Sequence, residues 1–219
     1  MEHPLCLIML GGDAPGFRAG QALTTLLKEV TYVVAADKGA THLLEFGLFP
    51  RLVVGDSDSL SDDAREACFK SGAEFVVLPR EKNFTDWEAA FLAALDAGYR
   101  RLAVFGAFGG RFDHLMGNLL LPLAHRDKWD ACTFYGEGFT AYYCFGDTVL
   151  IGRPGDTVSL IALTDTIDNL TLQGFSYPLL DYQTHLGSSR CLCNELNETI
   201  GHITFDKGIV LIVHYRGQA

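Results

Sequence analysis

Three aspartates stand where short apolar runs give way to loops. Asp37 follows Tyr32–Ala36, and Asp56 and Asp58 lie in Gly55-Asp56-Ser57-Asp58-Ser59 after Leu52–Val54. Carboxylates gathered in one place repel one another unless a cation sits between them, and hard oxygen donors of this kind suit magnesium. Glycine, aspartate and serine are also turn and helix-cap residues, a reading that needs no metal. The number of acids exceeds what a turn requires, and this surplus points to metal or phosphate chemistry.

Meeting at one point requires the elements before these acids to lie side by side. Both apolar runs read as buried parallel strands, and the segment between them carries the apolar spacing of a short helix, so 35–59 is a βαβ unit. Open parallel sheets bind ligands at the carboxyl ends of their strands. Both acidic loops are therefore expected to open on one crevice.

Two other stretches add candidate groups. Leu102–Phe105 reads as a strand leading into Gly106-Ala107-Phe108-Gly109-Gly110-Arg111-Phe112-Asp113-His114, with an apolar helix following to about Ala124. Arg111 offers a guanidinium for phosphate and Asp113 a further carboxylate, whereas His114 reads as a helix-start or packing residue. Thr85-Asp86-Trp87-Glu88 has the spacing of a capping box for a helix through Ala97, so Asp86 is also explicable as first-turn charge. The run Gly11-Gly12-Asp13-Ala14-Pro15-Gly16 after Leu5–Leu10 is of the kind that brings backbone amides to a phosphate. It matches neither the P-loop nor the dinucleotide fingerprint, and a tight turn is the simpler reading.

From Ala131 the pattern changes to short β-rich runs separated by turn signals, with no sustained helical period. An α/β domain over 1–135 followed by an all-β domain over 136–219 is the expected organisation. The 219 residues, 48% hydrophobic and 20% charged, suit two compact cores without a disordered tail. A net charge of −10 and no lysine–arginine cluster argue against a nucleic-acid partner. No window approaches a membrane span, and Leu5–Leu10 is too short for a signal-peptide core. The expected location is the cytoplasm, with the six scattered cysteines as reduced thiols.

With these residues placed, the chain resembles the thiamin pyrophosphokinases along nearly its whole length. The family pattern A-D-G-G-A-N, G-D-x-D-S, K-D-x-T-D, G-G-R-x-D-H and S-S-x-x-x-S-N-E corresponds in order to Ala36–Thr41, Gly55–Ser59, Lys82–Asp86, Gly109–His114 and Ser188–Glu195. The resemblance implies a Rossmann-like parallel-sheet catalytic domain followed by a β-sandwich domain, in a homodimer. It implies ATP as co-substrate, magnesium, and transfer of a pyrophosphoryl group to the hydroxyl of thiamin with AMP leaving. Asp37, Asp56, Asp58, Asp86 and Asp113 would hold magnesium and orient the triphosphate, and Arg111 and Lys82 would neutralise its charge. Asp56 or Asp58 would take the hydroxyl proton, Asn118 would face the nucleotide, and Ser188, Ser189, Asn194 and Glu195 would lie near thiamin. Tyr177 and Tyr182 are candidates to pack on the thiamin rings.

The chain departs from the pattern at Lys38, Thr41, Asn83, Phe84 and Cys193. Asn83 removes a carboxylate, and Lys38 adds a cation beside Asp37 that either binds phosphate or points to solvent. Two other functions compete: a pyrophosphokinase for another hydroxymethyl heterocycle such as a pterin, and a non-catalytic nucleotide- or thiamin-binding sensor.

Overall fold

A computed structural model describes residues 3–14, 20–56, 60–79 and 81–217. The chain divides into two units, Met1–Glu137 and Gly138–Ala219.

The first unit alternates strands and helices: β1 (Leu5–Met9), α1 (Gly20–Glu29), β2 (Val30–Ala36), α2 (Gly39–Glu45), β3 (Leu52–Gly55), α3 (Asp62–Lys70), β4 (Glu74–Val77), α4 (Asp86–Asp96), β5 (Arg101–Phe105), α5 (Phe112–Ala124) and β6 (Ala131–Gly136). The six strands pair in parallel in the order β6-β5-β1-β2-β3-β4. Every residue of β1 and β3 is buried, as expected of strands covered on both faces. The pattern change at Ala131 is thus not the end of this sheet, because β6 pairs in parallel with β5.

Helix placement follows from apolar spacing. Trp87, Ala90, Phe91 and Ala94 recur on one face of α4, are all buried, and pack the helix against β1, β2 and β3. Thr85 starts that helix by accepting the Glu88 amide at 3.1 Å. Ser61 starts α3 the same way, accepting from the Ala64 amide at 3.2 Å.

The second unit is antiparallel throughout, with strands β7 (Phe139–Cys144), β8 (Thr148–Ile151), β9 (Thr157–Ala162), β10 (Thr166–Gln173), β11 (Leu179–His185), β12 (Asn194–Glu195), β13 (Ile200–Thr204) and β14 (Val210–Tyr215). They form two sheets, β12-β9-β14-β7 and β11-β10-β13-β8. Alternate residues such as Val158, Leu160, Ile167, Leu170, Leu172 and Ile203 point into one shared core, the packing of a β-sandwich.

Candidate active site

The first unit's strand order reverses beside β1, with β2 on one side and β5 on the other, and the loops that leave these strands diverge there. A cleft of about 450 Å³ opens at this point, lined by Leu10, Gly11 and Gly12 after β1, Asp37 and Lys38 after β2, and Gly106, Ala107 and Arg111 after β5. Asp86, His114 and Asn118 complete its wall. Asp37 and Lys38 bring the loop after β2 into this lining beside the loops after β1 and β5. Strand order is a non-local property, and it puts the opening at the reversal.

Two glycine-bearing loops form the floor. The Leu10 amide donates to the Phe105 carbonyl, the Gly12 amide to Gly106 at 2.9 Å, and the Asp13 amide to Phe108 at 2.8 Å. A Cβ on Gly12 would come within 2.5 Å of the carbonyl oxygens of both Gly106 and Phe108, so only glycine permits this approach. The amides of Gly12 and Asp13 are spent on the neighbouring loop, so these two bonds tie the loops after β1 and β5 together. Pro15 and Gly16 lie outside the described residues.

Asp37 is the most perturbed group of the cleft. Its backbone is left-handed, with φ of 47°, and its Oδ1 is buried without a hydrogen-bond partner among the described residues. The Gly55 backbone lies directly under that oxygen, where a Cβ would sit 2.0 Å from it. Burial, a hydrogen bond shared with Asp86 and the charges of Asp86 and Asp56 push the Asp37 carboxyl up to about 7, against the lowering effect of Lys82. An unpaired buried oxygen, strained backbone and mutual repulsion together mark a place built for something else to bind.

The other predicted residues distribute as follows. Asp86, at the first turn of α4, holds Lys82 through its Oδ1 at 2.6 Å, and the Lys82 side chain is only 9% exposed. Lys82 does not line the cleft; it compensates Asp86. Asp56 is half-buried, one residue beyond β3, and reaches Asp37 through its charge without lining the cleft. Asp58 lies outside the described residues, as do Ser57, Ser59 and Arg80. Asp113 is exposed and locked to Arg111, whose Nε lies 3.1 Å from Oδ1 and Nη2 2.5 Å from Oδ2. The Arg111 hydrogen bond holds the Asp113 carboxyl down at about 2. Asn118 lines the cleft, but its side-chain Nδ2 donates to the Ala107 carbonyl at 2.9 Å and its backbone carbonyl accepts from the Trp87 indole at 3.3 Å. It ties the loop after β5 to α5 and α4, a role invisible to sequence spacing.

Magnesium is implied by the acidic set, and the described residues fit it in part. Asp37 supplies an oxygen with no other partner, and Asp86 and Asp56 supply the charge that a divalent cation would relieve. Among the described residues no three such side chains form a preassembled cage, and Asp113 points its carboxylate at Arg111.

In the second unit Asn194 is buried, and its side chain is bonded at both its oxygen and its nitrogen. Its Oδ1 accepts from the amides of Tyr177 at 3.0 Å and Glu195 at 2.9 Å, and its Nδ2 donates to the Tyr177 carbonyl at 2.9 Å. Ser176 adds a hydroxyl bond to Asn197 and an amide bond to the Glu195 carbonyl. These bonds fix the backbone that presents Tyr177, whose side chain is 63% exposed, so Asn194 positions an aromatic ring. Ser189, Cys193 and Glu195 are exposed and Ser188 half-exposed on the neighbouring stretch, with Cys193 in a left-handed turn at φ of 54°. Tyr182 is 37% exposed on β11.

Two family models match the chain: the thiamin pyrophosphokinase catalytic domain over residues 23–132 and the thiamin pyrophosphokinase vitamin B1 binding domain over residues 149–210. The chain belongs to the thiamin pyrophosphokinase family. Each family domain falls inside one structural unit. A thiamine pyrophosphokinase of Bacillus subtilis (strain 168) is 32% identical over 200 residues, covering 87% of this chain and 90% of its own. The crystal structure of a thiamine pyrophosphokinase from Bacillus subtilis superposes with a TM-score of 0.85 at 28% identity, over 98% of this chain and 100% of that one. A thiamin pyrophosphokinase family protein from Enterococcus faecalis superposes with a TM-score of 0.81 at 27% identity, over 98% and 99%. Neither the pterin alternative nor the sensor alternative finds support among these relatives.

Proposed function

We propose that the chain transfers the pyrophosphoryl group of ATP to the hydroxyl of thiamin, giving thiamin pyrophosphate and AMP, in the cleft of its first unit. The observation that carries this reading is the match of both family domains, in order, to the two units, with the perturbed Asp37 at the mouth of the sheet in the catalytic one. The thiamin hydroxyl oxygen attacks the β-phosphorus, the bond from that phosphorus to the α-phosphate oxygen breaks, and the hydroxyl proton passes to a carboxylate, Asp56 or Asp58. Such transfer depends on positioning and charge neutralisation more than on covalent help.

Each residue has a part in that division of labour. Asp37 and Asp56, with Asp58 and Asp86, would hold magnesium, which would neutralise phosphate charge when bound. Asp113 orients Arg111 as much as it serves the cation, because the two are paired across both oxygens. Arg111 approaches the triphosphate from the rim, Lys82 pairs with Asp86, and Asn118 fixes the loop beneath the nucleotide. In the second unit Tyr177, held by Asn194, packs on thiamin, with Ser188, Ser189 and Glu195 along the same stretch.

A homodimer and a cytoplasmic location complete the proposal. Phe112, Met116 and Leu120 stand four residues apart on α5 and are 73%, 41% and 46% exposed, and a second copy of the chain would cover such a stripe. All six cysteines are free, and five of them are buried, which suits a reducing compartment. Among the described residues no helix is long and apolar enough to cross a membrane.

Incubation with ATP, magnesium and thiamin, followed by identification of the nucleotide product, tests the reaction. AMP in equal amount to thiamin pyrophosphate is expected. ADP would make the protein a simple kinase, and pterin turnover in preference to thiamin would revive the other substrate.

A further inference from the structure

Two of the cations predicted to serve ATP already hold carboxylates. Lys82 lies 2.6 Å from Asp86 and is nearly buried, and Arg111 grips Asp113 through two nitrogens. Each of these is close to a neutral pair, and its pull on a polyphosphate is correspondingly reduced. Moving Lys82 onto a phosphate would also leave the Asp86 charge uncompensated beside Asp37, a costly exchange in a partly buried place.

Lys38 differs from both. It lines the same cleft, its side chain is exposed, and among the described residues its ammonium makes no ion pair or hydrogen bond. Its backbone is nonetheless fixed: with φ of −55° and ψ of −17° it precedes α2, and its carbonyl accepts the amides of Thr41 at 3.0 Å and His42 at 3.3 Å. The next residue, Gly39, presses on β1 so tightly that a Cβ would meet the Met9 carbonyl oxygen at 2.0 Å. On the other side the Lys38 Cβ stands 3.2 Å from where a Cβ of Gly11 would lie. The root of the side chain is thus held between the loops after β1 and β2, and the ammonium is left at the open mouth.

We propose that Lys38 is a phosphate-contacting residue of the nucleotide site, because it alone among the described cleft-lining lysines and arginines reaches a polyphosphate without first breaking an ion pair. The inference rests on the reading of this cleft as the ATP site. It identifies the departure from the family's A-D-G-G pattern as a working part of nucleotide binding. Binding exchanges water for phosphate oxygen at a solvated ammonium, a change that requires no rearrangement of the acidic cluster.

Calorimetric titrations of the full chain with ATP, adenosine and thiamin, for the wild type, Lys38→Gln and Lys38→Arg, test it. Loss of a charge-assisted contact predicts roughly tenfold or greater weakening of ATP binding in Lys38→Gln. Adenosine and thiamin affinities are expected to hold, Lys38→Arg to restore most of the ATP affinity, and the salt sensitivity of ATP binding to fall in the glutamine variant. ATP affinity in Lys38→Gln equal to that of the wild type overturns the proposal and leaves the ATP site standing. Equal losses for ATP and adenosine also overturn it, since the damage would then not concern phosphate. A wild type that binds no ATP at all overturns the site and this proposal together.

Discussion

Asp37, half-buried in the first unit, and Asp156, buried in the second, have opposite surroundings. Asp156 is 2% exposed and fully bonded: its Oδ2 accepts from the Arg153 amide at 2.9 Å and meets His214 Nε2 at 2.9 Å, while its Oδ1 accepts from the Gly217 amide at 2.9 Å. Burial pushes its carboxyl up, but these donors outweigh that, and it titrates below the usual carboxylate range. Asp37 has an unpaired oxygen, carboxylates for neighbours, a left-handed backbone and a carboxyl pushed up to about 7. One aspartate is a finished structural joint. The other is left with an unpaired oxygen among repelling carboxylates, and the difference separates a charge whose bonds hold a fold from one whose surroundings oppose it.

The contrast is sharpest in substitutions. Asp56→Asn is expected to lower turnover by roughly a hundredfold or more while circular dichroism stays unchanged, since removing one group that stabilises developing charge has effects of that size. Near-normal turnover would take Asp56 out of the mechanism. Asp156→Ala should instead cost about 3–5 kcal/mol of stability by stranding buried donors and His214. Urea unfolding measures that loss, and the folded fraction should keep its turnover.

The two aspartates also impose opposite pH dependences. The folded pKa of Asp156 lies below its unfolded value near 3.9, so its contribution is complete above that pH and is lost as the pH falls through the folded value. The folded pKa of Asp37 lies above the unfolded value, so its contribution is complete below about pH 3.9 and is lost as the pH rises to about 7. Melting curves of Asp156→Asn and Asp37→Asn against wild type from pH 3 to 8 should therefore separate toward the upper end with opposite signs, Asp156→Asn falling below the wild type above about pH 4 and Asp37→Asn equalling or exceeding it as the pH approaches 8.

Smaller effects belong to the positioning asparagines. Asn194→Ala removes both bonds to the Tyr177 backbone and should weaken thiamin binding together with stability, by about 1–3 kcal/mol in the latter. Tyr177→Ala should weaken thiamin binding alone, and calorimetry beside thermal melts separates the two. Asn118→Ala should raise the Michaelis constant for ATP a few-fold, by freeing the Ala107 carbonyl. No change there would confine Asn118 to packing.

Much of the architecture was legible because it rests on local pattern. Buried runs such as Leu7–Met9 and Val53–Val54, the cap at Thr85, and the alternation in β9 and β13 are short-range signals. Strand β11 carries little local signal, because only Thr184 of its seven residues is buried and Asp181 interrupts it with a φ of 48°. At the site, residue types were legible and their pairings were not. The i,i+4 spacing of Lys82 and Asp86 hints at their bond, but nothing local tells that Asn118 and Asn194 spend their amides on the distant backbones of Ala107 and Tyr177. Nor does spacing reveal that the sheet reverses at β1, which is where the cleft opens.

The most direct test of the contrast is Asp37→Asn measured at pH 8 for both melting temperature and turnover. A neutral amide removes repulsion with Asp86 and Asp56 but keeps the shape of the side chain. The account predicts a melting temperature equal to or above that of the wild type, with turnover down by roughly a hundredfold or more. A lowered melting temperature with turnover retained would make Asp37 a structural joint like Asp156, and would contradict the assignment of this cleft as the site of pyrophosphoryl transfer.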